Sequence, residues 1–326
     1  MELPMTSRTS LAAGVALAIF ATLSWSLNFI APYVTGAYSI HDLMALRFLL
    51  AGAIGAVLLV IHRAGLRFIR PGWKLVSLGL GIAGYLGYST SIAIGVVFGG
   101  PLLTPSLIAM VPILLALLGN AHYQTLAWKR LAVPLVLLGA GLGLIHLSAA
   151  TQAMASPRSL TIGLAASIVA VLLWLLFSLL NQKALHVIPA ASVGAWTGLM
   201  MSGGALGTLC LVPIGLMLGV FRLPALGFGL EHAGWLYAWA LAIALFSSVA
   251  GAWAWNQATQ RLPMVLSGQL VSLESLFATL LGLAFHGRWP TPVEALGFAA
   301  ILLGVLLAVR EILSAETACG EAFSRA

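Results

Sequence analysis

The sequence predicts an all-α, polytopic membrane protein with ten transmembrane helices arranged as two inverted five-helix repeats. Three observations lead there. The composition cannot cover a water-facing surface, ten apolar runs are each long enough to cross a bilayer, and both ends of the first half recur in order in the second.

Of the 326 residues, 61% are hydrophobic and only 7% are charged, against about 25% charged in soluble domains. The net charge of +7 does not imply a nucleic-acid partner, because so few charges cannot form a basic patch on a water-exposed domain. The two cysteines, Cys210 in an apolar segment and Cys319 near the C-terminus, imply neither a disulfide framework nor a metal site. The first apolar run follows a short leader with Arg8. At roughly 21 residues, with no A-x-A site after it, it exceeds a signal-peptide core and reads as a retained first helix.

A spanning helix needs about 20 apolar residues. The first run, 11–31, stops before Pro32, and the second, 40–62, opens on Ser39, His41 and Asp42. The third, 73–98, follows Pro71 and carries Gly81, Gly84 and Gly87 beside Tyr85 and Tyr88, an adaptable composition. Only Gly99-Gly100-Pro101 separates it from the fourth, 101–121, where Pro105 and Pro112 each remove a backbone hydrogen bond and favour a kink. The fifth, 129–148, and the seventh, 191–220, contain the packing spacings Gly139/Gly143 and Gly203/Gly207. The sixth, 158–181, follows Pro157 and ends near Asn181. The eighth, 234–256, follows Pro224 and ends in Trp253, Trp255 and Asn256, beside Gln257. This cluster either lines an inner vestibule or anchors the helix at the interface. The ninth, 263–285, starts at Pro263, and the tenth, 292–312, follows Pro290 and leaves 312–326 as a short tail.

Loop arginines and lysines set orientation. With the N-terminus inside, 11 basic residues face inward and 3 outward, Arg47 lying within the second run. This predicts cytoplasmic N- and C-termini and a multi-pass protein of the inner (plasma) membrane.

"GVALAIFATLSW" (14–25) and "GLAASIVAVLLW" (163–174) share six of twelve positions, including Gly14/Gly163 and Trp25/Trp174. "LVLLGAGLGLI" (135–145) likewise parallels "AILLGVLLAVR" (300–310), aligning Gly139 with Gly304. Two anchors in the same order argue for duplication. Five is odd, so the second copy enters the membrane from the other side, an architecture of many secondary transporters.

"WSLNFIAPYV", "LMALRFLLAG", "LIAMVPILLALLG" and, most specifically, "LVSLESLFATLLGLAFHGRWPTPVEALGFAAILLGVLLA" resemble the EamA domain of the drug/metabolite transporter superfamily. The resemblance covers two copies, roughly 11–148 and 158–311. It implies ten helices and export or exchange of small metabolites, among them amino acids or drug-like compounds, without ATP. The chain departs from the family where Glu-Pro becomes Glu274-Ser275 and where Val111-Pro112 keeps proline without an acid. The Gly-Glu turns become Gly287-Arg288 and Tyr123-Gln124.

Glu274 is the one acid near the middle of a span, about 11 residues from each end of the ninth run. A charge there is unfavourable by about 2.5–3.5 kcal/mol, so it is protonated, paired, or faces a polar cavity. Gly268, Ser272, Ser275, Thr279 and Gly282 form a small-residue stripe. Glu274 lies roughly 120° from its centre, nearly in line with Ser267. It reads either as a proton or substrate-amine site or as a polar tether to another helix. Arg47, about 10 Å deep at 1.5 Å per residue, either snorkels to the interface or faces the cavity as an anion contact or partner of Glu274. Asp42 reads as a helix start.

Inversion puts Trp25 toward the outside and Trp174 toward the inside, where they either close a cavity or belt the interface. Asn28 and Tyr88 complete the candidate substrate or proton site. No P-loop, H-E-x-x-H or G-x-S-x-G motif is present, so no catalytic residue, cofactor or metal is expected, and the protein is read as a transporter rather than an enzyme. Proton coupling through Glu274 is a further expectation. The alternatives are a membrane-embedded non-transport subunit or an enzyme acting on lipid-linked substrates. The expected partners are membrane lipids and a small-molecule substrate, with no nucleic acid; oligomeric state stays open, a monomer included.

Overall fold

The computed structural model describes residues 8–324 apart from 109, 124–126, 149–156, 286 and 288. Gln124, Arg288 and Arg325, used above, lie outside the described residues. Every regular element among the described residues is helical. Among the described residues, eight helices are long and apolar enough to cross a membrane: 9–26, 40–61, 71–92, 161–185, 190–217, 230–259, 264–285 and 292–312, with a shorter apolar helix at 111–121. The protein is therefore a multi-pass integral membrane protein.

In chain order, α1 is Arg8–Ser26, continued by a 3₁₀ turn at Leu27–Ile30 and a short helix at Ala31–Val34. Next come α2 (Ile40–Ile61) and α3 (Pro71–Leu80), which widens into π turns at Gly81–Gly87 before α4 (Tyr88–Ile108). After α5 (Val111–Tyr123), α6 (Trp128–Ser148), α7 (Pro157–Leu185) and α8 (Val193–Met217), a second π segment, Ile243–Gly251, joins α9 (Leu230–Ala242) to α10 (Ala252–Thr259). The chain ends with α11 (Met264–Leu270), α12 (Ser272–Phe285) and α13 (Pro292–Ser324).

The expected break at Gly99-Gly100-Pro101 is absent. Helix runs on to Ile108 instead, and a turn at Met110 precedes the helix that starts at Val111. An apolar environment has no water to satisfy a broken backbone, so glycine and proline are carried inside the helix rather than ending it. The expected tail at 312–326 is also helical as far as Ser324.

α2 packs along α8, α4 along α7, α6 along α13 and α5 along α11. α1 lies against α10, the second π segment and α12. Small residues permit the close approaches, as expected where lipid provides no hydrophobic drive between helices. A Cβ on Gly55 would stand 2.9 Å from Gly198 O, and one on Gly198 would stand 2.8 Å from Gly55 O. Gly203 and Gly207 are tight against Leu78 and Leu86, as their spacing predicts. Gly139 and Gly143 are not: Gly143 meets nothing within 4 Å, and Gly141 carries the contact, 2.7 Å from Gly297 O. Two residues along a helix turn the face by about 200°, so the Gly-xxx-Gly spacing there named the wrong face. On the stripe of the ninth run, a Cβ on Gly268 would stand 2.8 Å from Ala116 N, whereas one on Gly282 would meet nothing within 4 Å.

Candidate functional site

The second π segment reads IALFSSVAG and presents two fully buried serines to two different neighbours. Ser248 Oγ accepts from Arg47 Nε at 2.8 Å on α2. Ser247 Oγ donates to Asn28 Oδ1 at 2.9 Å, in the 3₁₀ turn after α1. Consecutive residues on a helix diverge by about 100°, so a serine pair can bind to both sides at one height. π turns recur at functional sites because they re-aim side chains in this way.

Arg47 is 4% exposed, so it does not snorkel to the interface. Its guanidinium lies 5.0 Å from the Phe48 ring centroid, and Nη1 lies 3.7 Å from Met44 Sδ. The hydrogen bond and the cation–π contact offset part of its burial cost.

Glu274 stands in the first turn of α12, just past a break at Val271. Its backbone N–H bonds to Val271 O at 3.0 Å, three residues back rather than four. The side chain is half-buried. Arg47, Tyr85 and Tyr88 all lie within electrostatic range of it. No ion pair joins Arg47 to Glu274. Tyr85 arrives on the first π segment, so both π segments deliver side chains to this layer.

Aromatic rings wall the layer. Trp25 meets Trp174 edge-to-face at 5.6 Å and Trp255 at 5.1 Å. Trp174 also contacts Tyr88 at 5.0 Å and Phe177 at 5.2 Å, and Phe177 meets Tyr85 at 5.8 Å. Gly251 admits the Trp25 indole, since a Cβ there would lie 3.0 Å from Cδ1 and Nε1. The expected separation of Trp25 and Trp174 to opposite sides is therefore corrected: they touch. The rod containing Trp25 continues helically to Val34 and the one containing Trp174 spans Pro157–Leu185, so both indoles fall nearer mid-length than the apolar runs suggested.

Ser267, seven residues before Glu274, is buried with its hydroxyl unpartnered. Gln269 is fully buried and neither atom of its side-chain amide has a partner; the sequence reading passed over it. Asn181 and Asn256 lie near the ends of their helices, as expected, and form a buried network. Asn181 Nδ2 donates to Asn256 Oδ1 at 2.9 Å, and Trp196 Nε1 donates to Asn181 Oδ1 at 2.8 Å. Asn256 Nδ2 donates to Thr197 Oγ1 at 2.9 Å. Trp253, by contrast, is exposed. Asp42 is a helix start: with Ser39 it forms a capping box, and its carboxylate also accepts from Arg222 N at 3.0 Å and Leu223 N at 3.1 Å.

Ser247, Ser248 and Gln269 are the residues missed. The signal for the serines was a polar pair in the apolar run ALFSSVAG. Among the described residues no cluster of three His, Cys, Asp or Glu could hold a metal.

The EamA-like transporter family matches residues 161–310. The inner membrane protein YtfF of Escherichia coli (strain K12) is 28% identical over 310 residues, covering 91% of this chain and 95% of the relative. A solved crystal structure has the same fold, with a TM-score of 0.72 at 20% identity, over 91% of this chain and 96% of its own. Residues 161–310 thus make up an EamA-like transporter family domain, in a chain homologous along nearly its whole length to that inner membrane protein.

Proposed function

We propose that the protein is a secondary transporter of the inner membrane that exports small metabolites, amino acids or drug-like compounds, by alternating access between two inverted five-helix halves. The observation that carries this reading is the layer just described. A buried cation and a carboxylate share one level inside the helix bundle, with an aromatic wall beside them and no bond between them. Intramembrane ionisable residues are expensive to keep and mark substrate or ion pathways.

The packing supports the inverted repeat. Exchanging the halves maps second-on-seventh, fifth-on-tenth and fourth-on-ninth onto themselves, and first-on-eighth onto third-on-sixth. Each of these pairs is a packed neighbour pair. Both π segments fall in equivalent runs, the third and the eighth. In this reading Glu274 binds the coupling proton or a substrate amine, Arg47 binds an anionic group, and Trp25, Trp174, Tyr88, Asn28 and Ser267 line the path. Both termini are cytoplasmic.

A metabolite-efflux screen comparing cells with and without the protein tests the transport reading. A solute whose export rises with the protein supports it; no such solute, with a stoichiometric partner co-purifying, sinks it. Proton coupling is tested in liposomes with an imposed pH gradient: equal gradient-driven flux by wild type and Glu274→Gln rules it out.

A further inference from the structure

The layer contains one basic and one acidic side chain, and neither is saturated. Among the described residues only Ser248 Oγ and the weakly accepting Met44 sulfur accept hydrogen bonds from the guanidinium, which has five donors. The Glu274 carboxylate makes no side-chain hydrogen bond among those residues. The remaining polar groups around them, Asn28, Tyr85, Tyr88, Ser247 and Ser248, are neutral side chains. The two charges come from separate walls: Arg47 from α2, Glu274 from α12, which packs against the Asn28 turn. That turn is in turn tied to the serine pair holding Arg47.

A lone charge sealed in a bundle is unfavourable, and leaving one partner of a buried pair unmatched is worse than removing both. A carrier must close around its empty site to return. With both charges present, the closed site is neutral.

We propose that Arg47 and Glu274 are each other's counter-charge in the empty carrier, letting it reorient unloaded, and that Ser248 is the positioning residue that holds Arg47 off Glu274 in the conformation seen here. The proposal rests on the transporter reading and adds to it that the protein is not bound to obligatory exchange. Net transport needs no counter-substrate, because the return step moves no uncompensated charge.

The test needs no substrate. In a Cys210→Ser, Cys319→Ser background, two single-cysteine reporters flank the layer: Ser178→Cys on α7, beyond Trp174, and Thr279→Cys on α12, beyond Glu274. Substrate-free proteoliposomes are exposed to a membrane-impermeant maleimide on both faces. Both reporters should be labelled in the charge-intact protein. In Arg47→Gln or Glu274→Gln one reporter should be labelled at the wild-type rate and the other on the order of a hundredfold more slowly. The double variant should regain both, and Ser248→Ala, which keeps both charges, should label both at least as fast as wild type.

Single variants that label both reporters normally overturn the proposal. So does a double variant no better than the singles, or a Ser248→Ala protein that behaves like them, since a packing defect would then be the cause. If the charge-intact protein labels only one reporter, the empty carrier does not reorient, and the alternating-access reading fails with the proposal. Size-exclusion profiles of all variants separate misfolding from altered gating.

Discussion

Replacing Asn256 by leucine keeps the branched shape and heavy-atom count of the side chain and deletes a hub. The residue is 1% exposed and joins three helices: it accepts from Asn181, donates to Thr197 Oγ1 at 2.9 Å, and touches Met200 Sδ at 3.7 Å. Hydrogen bonds between membrane helices contribute about 0.6 kcal/mol on average and up to about 1.7. Losing two good ones costs roughly 1–3 kcal/mol on that scale. Asn181 Nδ2 is then stranded in an apolar layer, and an orphaned buried donor costs a further ~1–3 kcal/mol. The expected loss is about 2–6 kcal/mol. The assay is equilibrium unfolding in mixed detergent–SDS micelles followed by tryptophan fluorescence, which Trp196 in the network should report directly. The Asn181→Leu, Asn256→Leu double variant should lose about 1 kcal/mol less than the sum of the singles. A loss below about 0.5 kcal/mol for Asn256→Leu, or strict additivity in the cycle, would refute the claim that this network ties α7, α8 and α10 together.

The same unfolding assay separates two glycines of one expected stripe. Gly268→Ala should lose about 1–3 kcal/mol, because its Cβ would stand 2.8 Å from Ala116 N and 3.0 Å from Leu115 Cβ. Gly282→Ala, whose added Cβ would meet nothing within 4 Å, should be neutral or gain up to about 1 kcal/mol from helix propensity. Asp42→Ala removes the acceptor for Ser39 N, Arg222 N and Leu223 N. It should cost about 2 kcal/mol and speed tryptic cleavage after Arg222; an unchanged cleavage rate would show that the carboxylate does not hold that loop.

What the sequence made legible was what depends on one residue type in bulk. Apolar run length, prolines at joints and loop arginines act additively, so most helices and the cap at Asp42 could be read directly. What it hid depends on which face meets which. Gly139/Gly143 and Gly141 are indistinguishable until α13 is in place. Trp25 and Trp174 were assigned opposite sides by a rule about ends, while the true rod lengths bring them together. Ser247 and Ser248 look like any small polar residues of a membrane helix. Most such residues return their hydroxyl to the carbonyl one turn back, as Thr22, Ser167 and Thr208 do. These two, on the π segment, reach neighbouring elements instead. Glu274 was legible because a carboxylate in apolar sequence admits few explanations, whereas the amide of Gln269 carries no formal charge to draw attention.

The two π segments also bear on how such a chain can change over generations. A π turn holds one more residue than the α turn it replaces, so each is in effect a tolerated insertion. Deleting one residue within Ile243–Gly251 would let the segment relax to a regular helix. Everything on one side of it would then rotate by about 100° and shift by about 1.5 Å relative to the other. That single deletion would take Ser247 and Ser248 away from Asn28 and Arg47 while leaving helix length and hydrophobicity nearly unchanged. Relatives that differ by one residue in this segment should accordingly keep the fold and present different side chains to α1 and α2, with no change in any contact residue.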